Sequence, residues 1–202
     1  MYSKFQNIET PFYYYDTALL EATLKAIRDE IKPYPHFHVH YAIKANANPR
    51  LLSIIQQAGF GVDCVSGGEI QVAINAHFPT NSIVYAGVGK SDKEIIIGLR
   101  NNIFCFNVES IPELEVINQL AVKENTIANV CLRINPDVSP HTHANIITGM
   151  AENKFGISMA DMEKVICIFA KTKSALFTKR KVQQNFKSSK LLSRKFAAFF
   201  NV

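Results

Sequence analysis

The chain has 202 residues, 48% of them apolar and 19% charged, a composition of a globular core slightly low in charge. No apolar run reaches the 18 residues of a membrane span and no secretory leader is visible, so the reading is a cytoplasmic protein without membrane segments. The formal net charge of +5 is a property of the last 32 residues, since the preceding 170 carry 13 basic against 17 acidic residues, a formal −4, and show no nucleic-acid signature.

The first readable element is a strand. Phe37, Val39, Tyr41 and Ile43 alternate with His38, His40, Ala42 and Lys44, which predicts two faces. One suits packing under helices; the other carries Lys44 toward a barrel interior. Asn48 and Pro49 then open an apolar-periodic helix through Leu51, Leu52, Ile54, Ile55 and Ala58, with Gly59 and Gly61 at its end. Lys44 therefore falls in a βα loop at the carboxyl end of a strand, where barrel enzymes keep their chemistry. A lysine amine needs an enclosed site or a cofactor aldehyde to be useful. By position alone an ordinary snorkelling lysine is the better explanation of Lys44, because lysines near strand ends are common.

The next units repeat the pattern. Gly61 to Glu69 reads as a short strand, a glycine turn and a helix start, with Ser66 and Glu69 spaced as a capping box. Ile83-Val84-Tyr85 is a third strand, followed by Gly87-Val88-Gly89-Lys90 and a helix opened by Ser91-Asp92-Lys93-Glu94. That glycine segment lacks the first glycine of a Walker motif. Ile103 to Phe106 is a fourth strand, and Ser110-Ile111-Pro112-Glu113 opens the helix after it. Val130 to Asn135 is a fifth, with Cys131, Arg133 and Asn135 on one face. Five strands alternating with helices predict parallel βα units.

Linked motifs now become specific. They are Thr10-Pro11-Phe12-Tyr13-Tyr14-Tyr15-Asp16, His40 to Asn46, Val62 to Glu69, Phe106-Asn107-Val108-Glu109-Ser110, Arg133-Ile134-Asn135-Pro136-Asp137 and Glu152-Asn153-Lys154-Phe155-Gly156. In order and spacing they resemble the diaminopimelate decarboxylases, members of the alanine-racemase-like decarboxylases that use pyridoxal 5'-phosphate (PLP). The resemblance runs from about residue 9 to about residue 165 and covers the amino-terminal portion of that family. It implies a PLP-binding (β/α)8 barrel and decarboxylation of meso-diaminopimelate to L-lysine. It also implies a homodimer and an amino-acid substrate. It assigns Lys44 as the Schiff-base lysine and places Asp63 and Arg133 around the cofactor, with Glu69 a weaker match. Ornithine and arginine decarboxylases share most of these motifs, and the Tyr13–Asp16 and Arg133–Asp137 segments lean toward the diaminopimelate branch. A non-catalytic PLP-binding barrel of the PLP-homeostasis type is the alternative from another class.

The pattern then breaks. The family continues into a sixth strand with a His-x-His-Ile-Gly-Ser motif, whereas all six histidines here precede residue 144. A (β/α)8 barrel takes about 250 residues, so the expected fold is a partial TIM-type barrel of about five βα units that this chain does not complete. Residues 171–202 hold nine of the 22 basic residues and no acid, leaving 13 basic against 17 acidic residues before them. Residues 1–170 are accordingly read as barrel and 171–202 as a basic tail foreign to the family, most simply an out-of-frame continuation. A basic amphipathic helix for membrane or nucleic acid (Leu192, Phe196 and Phe199 beside Arg194 and Lys195) and a solvated extension are the other readings. The expectation is a truncated and inactive decarboxylase.

His36, His38 and His40 have a spacing open to metal binding but no acidic or Cys neighbours, and are read as structural polar residues of a barrel mouth, with no metal. Cys64, Cys105, Cys131 and Cys167 form no C-x-x-C pair and are read as small hydrophobes of a reducing compartment.

Overall fold

The computed structural model describes residues 5–135, 155–171 and 177–179. A parallel sheet runs β1 (His40–Ala42), β2 (Gly61–Cys64), β3 (Ile83–Tyr85), β4 (Cys105–Val108) and β5 (Ala128–Leu132), each strand beside the next. Helices α2 (Pro49–Gln57), α3 (Gly67–Asn75), α4 (Asp92–Arg100) and α5 (Ile111–Lys123) fill the connections. This is the βα alternation that the sequence predicts. Ahead of it lies α1 (Thr17–Ile31), capped by Asp16, which accepts the Leu19 N–H at 3.0 Å; among its residues Leu24 alone is buried.

Two strands differ from expectation. The run 37–44 is extended only over His40–Ala42, and Ile43–Ala45 form a single 3-10 turn. The run 130–135 splits after Leu132. Arg133 still donates its N–H to Val108 O (2.9 Å), but β6 (Ile134–Asn135) leaves the sheet and pairs with β7 (Ile157–Ser158). After α6 (Met162–Lys171), β8 (Phe177–Lys179) joins β5 in parallel. The sheet therefore has six strands, one more than the five read from the sequence, and the sixth lies inside the segment read as a tail. Apart from Lys171 and Phe177–Lys179, that tail, with its Leu192, Phe196 and Phe199, lies outside the described residues, as does most of the Asn135–Gly156 stretch.

Helices of nine residues do not persist alone, since about 12–15 residues are marginal even in good sequences. Packing holds them here. Val62, Ile83, Tyr85, Phe106 and Val108 on the outer sheet face meet Leu52, Ile55, Ile70, Ile95 and Ile117 from the helices, all at most 2% exposed. Gly98 lets α4 lie close to the sheet: a Cβ there would come within 2.7 Å of Phe106 Cζ and 3.1 Å of Ile103 Cδ1. We expect Gly98→Ala to cost about 1 kcal/mol, the low end for overpacking because a ring edge and a methyl can yield. A denaturant midpoint equal to the parent's would show that the contact relaxes freely.

The helix starts form a linked series. Ser66, Ser91 and Ser110 each stand at an N-cap with Glu69, Glu94 and Glu113 three residues on. Only Glu94 returns to its own N-cap N–H (Ser91, 3.0 Å); Glu69 and Glu113 reach one residue further, to the N–H of Val65 (2.7 Å) and Glu109 (2.8 Å). Glu94 also accepts the Gly67 N–H at 2.9 Å, joining the start of α4 to that of α3. This bond, followed by the Ser91 hydroxyl and N–H, holds the Glu94 carboxyl down at about 2. Its stabilising contribution is present above the ordinary value of 4.5 and is lost as pH falls toward 2.

The inner sheet face carries a smaller layer of Val84, Cys105 and Cys131 with Phe104. His38 and His40 lie at the amino ends of the strands against the Phe104 ring (centroids 6.1 and 5.8 Å). They are structural, but at the end opposite Lys44 and not in the mouth expected for them. Burial, with the charge of His38 second, lowers the His40 value. Cys64 and Cys105 are buried thiols pushed up to about 12 by desolvation, which leaves them unreactive. No group of three His, Cys, Asp or Glu suited to a metal occurs among the described residues.

Candidate active site

At the carboxyl ends of the strands lies a cavity of about 380 Å3. Lys44, Asp63 and Arg133 all line it, together with Asn107, Glu109 and Phe155. The sequence reading named the first three from separate strands; the sheet brings them to one place. Ala42 pairs with Asp63 and Val108 with Leu132, so the ends of β1, β2, β4 and β5 share one rim.

Lys44 is exposed, in the 3-10 turn directly after β1, whose first residue Ile43 is fully buried. The loop beyond it is tied down. The Tyr41 hydroxyl donates to Asn46 O (3.1 Å), and Asn46 Oδ1 accepts the Asn48 N–H (2.9 Å). Asn46 Nδ2 donates to the Tyr15 hydroxyl (3.0 Å), which brings the amino-terminal tyrosine run to the site. Asn48 then caps α2 by accepting the Arg50 N–H at 3.0 Å.

Asp63 sits on the inner face of β2. Its Oδ1 is buried and has no hydrogen-bond partner. Burial raises its carboxyl above the ordinary 3.8; Lys44, and more weakly Arg133 and Lys90, oppose the shift, and Glu69 adds to it. A carboxylate kept in such a position without a partner is a polar group awaiting one. Arg133 extends from the end of β5. Its Nη1 donates to both oxygens of Glu109, at 2.9 and 3.0 Å, and its guanidinium lies 5.8 Å from the Phe155 ring centre. Behind it, the Ile157 N–H donates to Arg133 O (2.8 Å), and Gly156 has φ +111 where a Cβ would meet that same oxygen at 2.9 Å. Glu69 does not line the cavity; it holds the Val65 N–H in the loop that does.

Two groups were not singled out from sequence. Glu109, 6% exposed, belongs to a recognised motif but reads there as the residue before a cap. Lys90 reads in the sequence only as the end of a glycine segment resembling part of a phosphate loop. Its side chain is 1% exposed, and its Nζ donates to Gly87 O (2.6 Å), Asn107 O (2.8 Å) and Glu113 Oε1 (2.6 Å). All three ammonium donors are thus used inside the protein, and two of them fix cavity-lining backbone. Their only sequence signals were position: Glu109 one residue past a strand, Lys90 one before an N-cap serine.

The donor set suits a flat anionic aldehyde. An amine can take the carbonyl carbon, an unpartnered carboxylate oxygen can meet a protonated nitrogen or a hydroxyl, and a guanidinium can meet an oxyanion. A cavity of this size is in the range of cofactor sites. A parallel βα sheet with such groups at its carboxyl rim is the arrangement of a barrel enzyme that works through a carbonyl cofactor.

The comparisons place it further. Residues 18–175 match the family of pyridoxal-dependent decarboxylases over its pyridoxal binding domain. The chain belongs to this family of PLP-dependent amino-acid decarboxylases. It is 63% identical over 174 residues to diaminopimelate decarboxylase of Bacteroides thetaiotaomicron, a match covering 86% of this chain and 45% of that protein. Its identity to the diaminopimelate decarboxylase of Aquifex aeolicus is 42% over 159 residues. Among solved structures, diaminopimelate decarboxylase of M. jannaschii superposes with a TM-score of 0.80 at 34% identity, over 90% of this chain and 43% of that one. The Helicobacter pylori enzyme complexed with L-lysine superposes with a TM-score of 0.76 at 37% identity, again over 90% of this chain and 45% of the other. The chain spans less than half the length of these relatives. The family match ends near residue 175, ten residues beyond the end read from the motifs.

Proposed function

We propose that this chain supplies the PLP-binding part of a diaminopimelate decarboxylase, with Lys44 as the residue that carries the cofactor. The observation that carries the reading is the meeting of Lys44, the unpartnered Asp63 Oδ1 and Arg133 around one cavity. In the whole protein the reaction is loss of CO2 from meso-diaminopimelate to give L-lysine, a step of lysine synthesis in the cytoplasm by a homodimer. The relative at 63% identity and the lysine-bound structure support this choice over ornithine or arginine. In the described residues no helix is long and apolar enough to cross a membrane.

Bound at this site, PLP supplies an electron sink for the pair left when CO2 departs. Lys44 would hold the cofactor through its side-chain amine. Asp63 presents a carboxylate to the positive charge gathered there. Arg133, which lines the cavity, would offer its guanidinium to an oxyanion of the bound group. Val88 and Phe155 contribute apolar surface to the cavity lining.

Incubation with PLP followed by borohydride should fix the label on the tryptic peptide bearing Lys44, and Lys44→Ala should abolish it. For the 202-residue polypeptide alone we expect partial labelling and little CO2 release, because more than half of each relative's length has no counterpart in it. In the whole protein, CO2 release should favour meso-diaminopimelate over ornithine and arginine. Stoichiometric labelling on a lysine other than Lys44 would overturn the site.

A further inference from the structure

The charged groups beneath the cavity form a series. Lys90 Nζ binds Glu113 Oε1 (2.6 Å), Glu113 Oε2 accepts the Glu109 N–H (2.8 Å), and Glu109 binds Arg133 Nη1 through both oxygens. The Glu109 side chain is 4% exposed and that of Arg133 29%. A carboxylate so deeply buried persists only when it is paired, and Arg133 is its partner. The pairing uses one nitrogen of the guanidinium. Among the described residues, Nη2 and Nε make no hydrogen bond, and the side chain lines the cavity.

We propose that Glu109 is a positioning residue for the cofactor: it occupies one edge of the Arg133 guanidinium and thereby leaves the opposite edge for an oxyanion of PLP. This rests on the proposed PLP reading of the same cavity. Without Glu109, a long, rotamer-rich side chain has no fixed place at the rim. The Lys90–Glu113 pair acts one step further back, since it fixes the backbone of Glu109 and, through Asn107 O and Gly87 O, the walls on either side. A purely structural reading makes Glu109 a satisfied buried acid with no effect on ligand. The two readings differ in what happens once Arg133 is gone.

The experiment is a double-mutant cycle on the 202-residue chain, read by PLP affinity and by the visible circular dichroism of the bound cofactor. Glu109→Gln should weaken PLP binding about tenfold and reduce the dichroic band, as expected for a lost charge-assisted contact. Arg133→Gln should do the same. The double variant should be no worse than the weaker single, because Glu109 acts only through Arg133. Glu109→Asp, which keeps the charge, should recover part of the band. Unchanged affinity in Glu109→Gln, or losses that add in the double variant, would overturn the proposal. A direct measurement guards against a variant that fails to fold. In the parent without PLP, the Arg133 Nη protons should give separate, exchange-protected NMR signals; a single averaged signal would overturn the positioning contact. Separate signals in a chain that PLP does not label at Lys44 would refute the cofactor reading and leave the Glu109–Arg133 contact standing.

Discussion

Lys90→Met should lower the unfolding free energy by about 3–5 kcal/mol, the cost of leaving one member of a buried ion pair alone. The Lys90 side chain is 1% exposed and that of Glu113 13%, so water cannot take over the lost contacts. Three acceptors are stranded together: Gly87 O, Asn107 O and Glu113 Oε1. The Tyr85 ring, 5.3 Å from Nζ, also loses a cation. Against a total stability of about 5–15 kcal/mol for a domain, that loss is a large fraction of the whole. Glu113→Gln should cost less, since Gln keeps the shape and an acceptor for the Glu109 N–H. The double variant should then recover part of the loss, because neither charge remains to be desolvated. Denaturant midpoints measured by circular dichroism decide it. If Lys90→Met unfolds within 1 kcal/mol of the parent, about the value of an exposed pair, the network is solvated and the close packing around Nζ is not what holds it.

What the sequence made legible followed from period and cap chemistry. Ser66, Ser91 and Ser110 with their glutamates announced three helix starts, and each is where the spacing put it. Alternation put Arg133 on one face with Cys131 and Asn135, although the strand bearing it divides at that residue, while Asp63 was placed by the family resemblance and not by period. The division was not readable because β6 finds its partner β7 more than twenty residues away. The length of β1 was overestimated for a related reason: alternation continues through Ile43 and Lys44, but the loop tied by Asn46 pulls them into a turn. The sixth strand, Phe177–Lys179, hid in a run of basic residues whose composition points to solvent, and parallel pairing with β5 overrides that local signal. Glu109 and Lys90 were invisible as site groups because their roles come from neighbours contributed by three different βα units. Period and spacing report only along the chain.

Asp63→Asn should make the chain more stable and its site worse. Asp63 is a carboxylate desolvated by the sheet around it, with Oδ1 unpartnered, and its carboxyl is raised above 3.8 for that reason. A raised acid favours the folded state only where it is protonated, so above its folded value the ionised group weighs against folding. Asn has the same shape and no charge to desolvate. The gain at neutral pH should be about 1 kcal/mol, below the figure for a fully buried ion because Asp63 also lines the cavity. It should shrink as pH falls through the raised value and vanish below 3.8, where Asp63 itself is neutral in both states. The opposite effect should appear with cofactor. On the proposed reading, a cofactor held on Lys44 would bring a positive charge toward Asp63, whose own charge Glu69 reinforces and Arg133 and Lys90 oppose. Removing the carboxylate should make the visible band fade at a pH about one unit lower. Both signs are measurable on one preparation, by denaturant titration at two pH values and by absorbance with PLP. A variant less stable at pH 7, with the band unmoved, would mean that Asp63 is satisfied within the fold and does not face the cofactor at all.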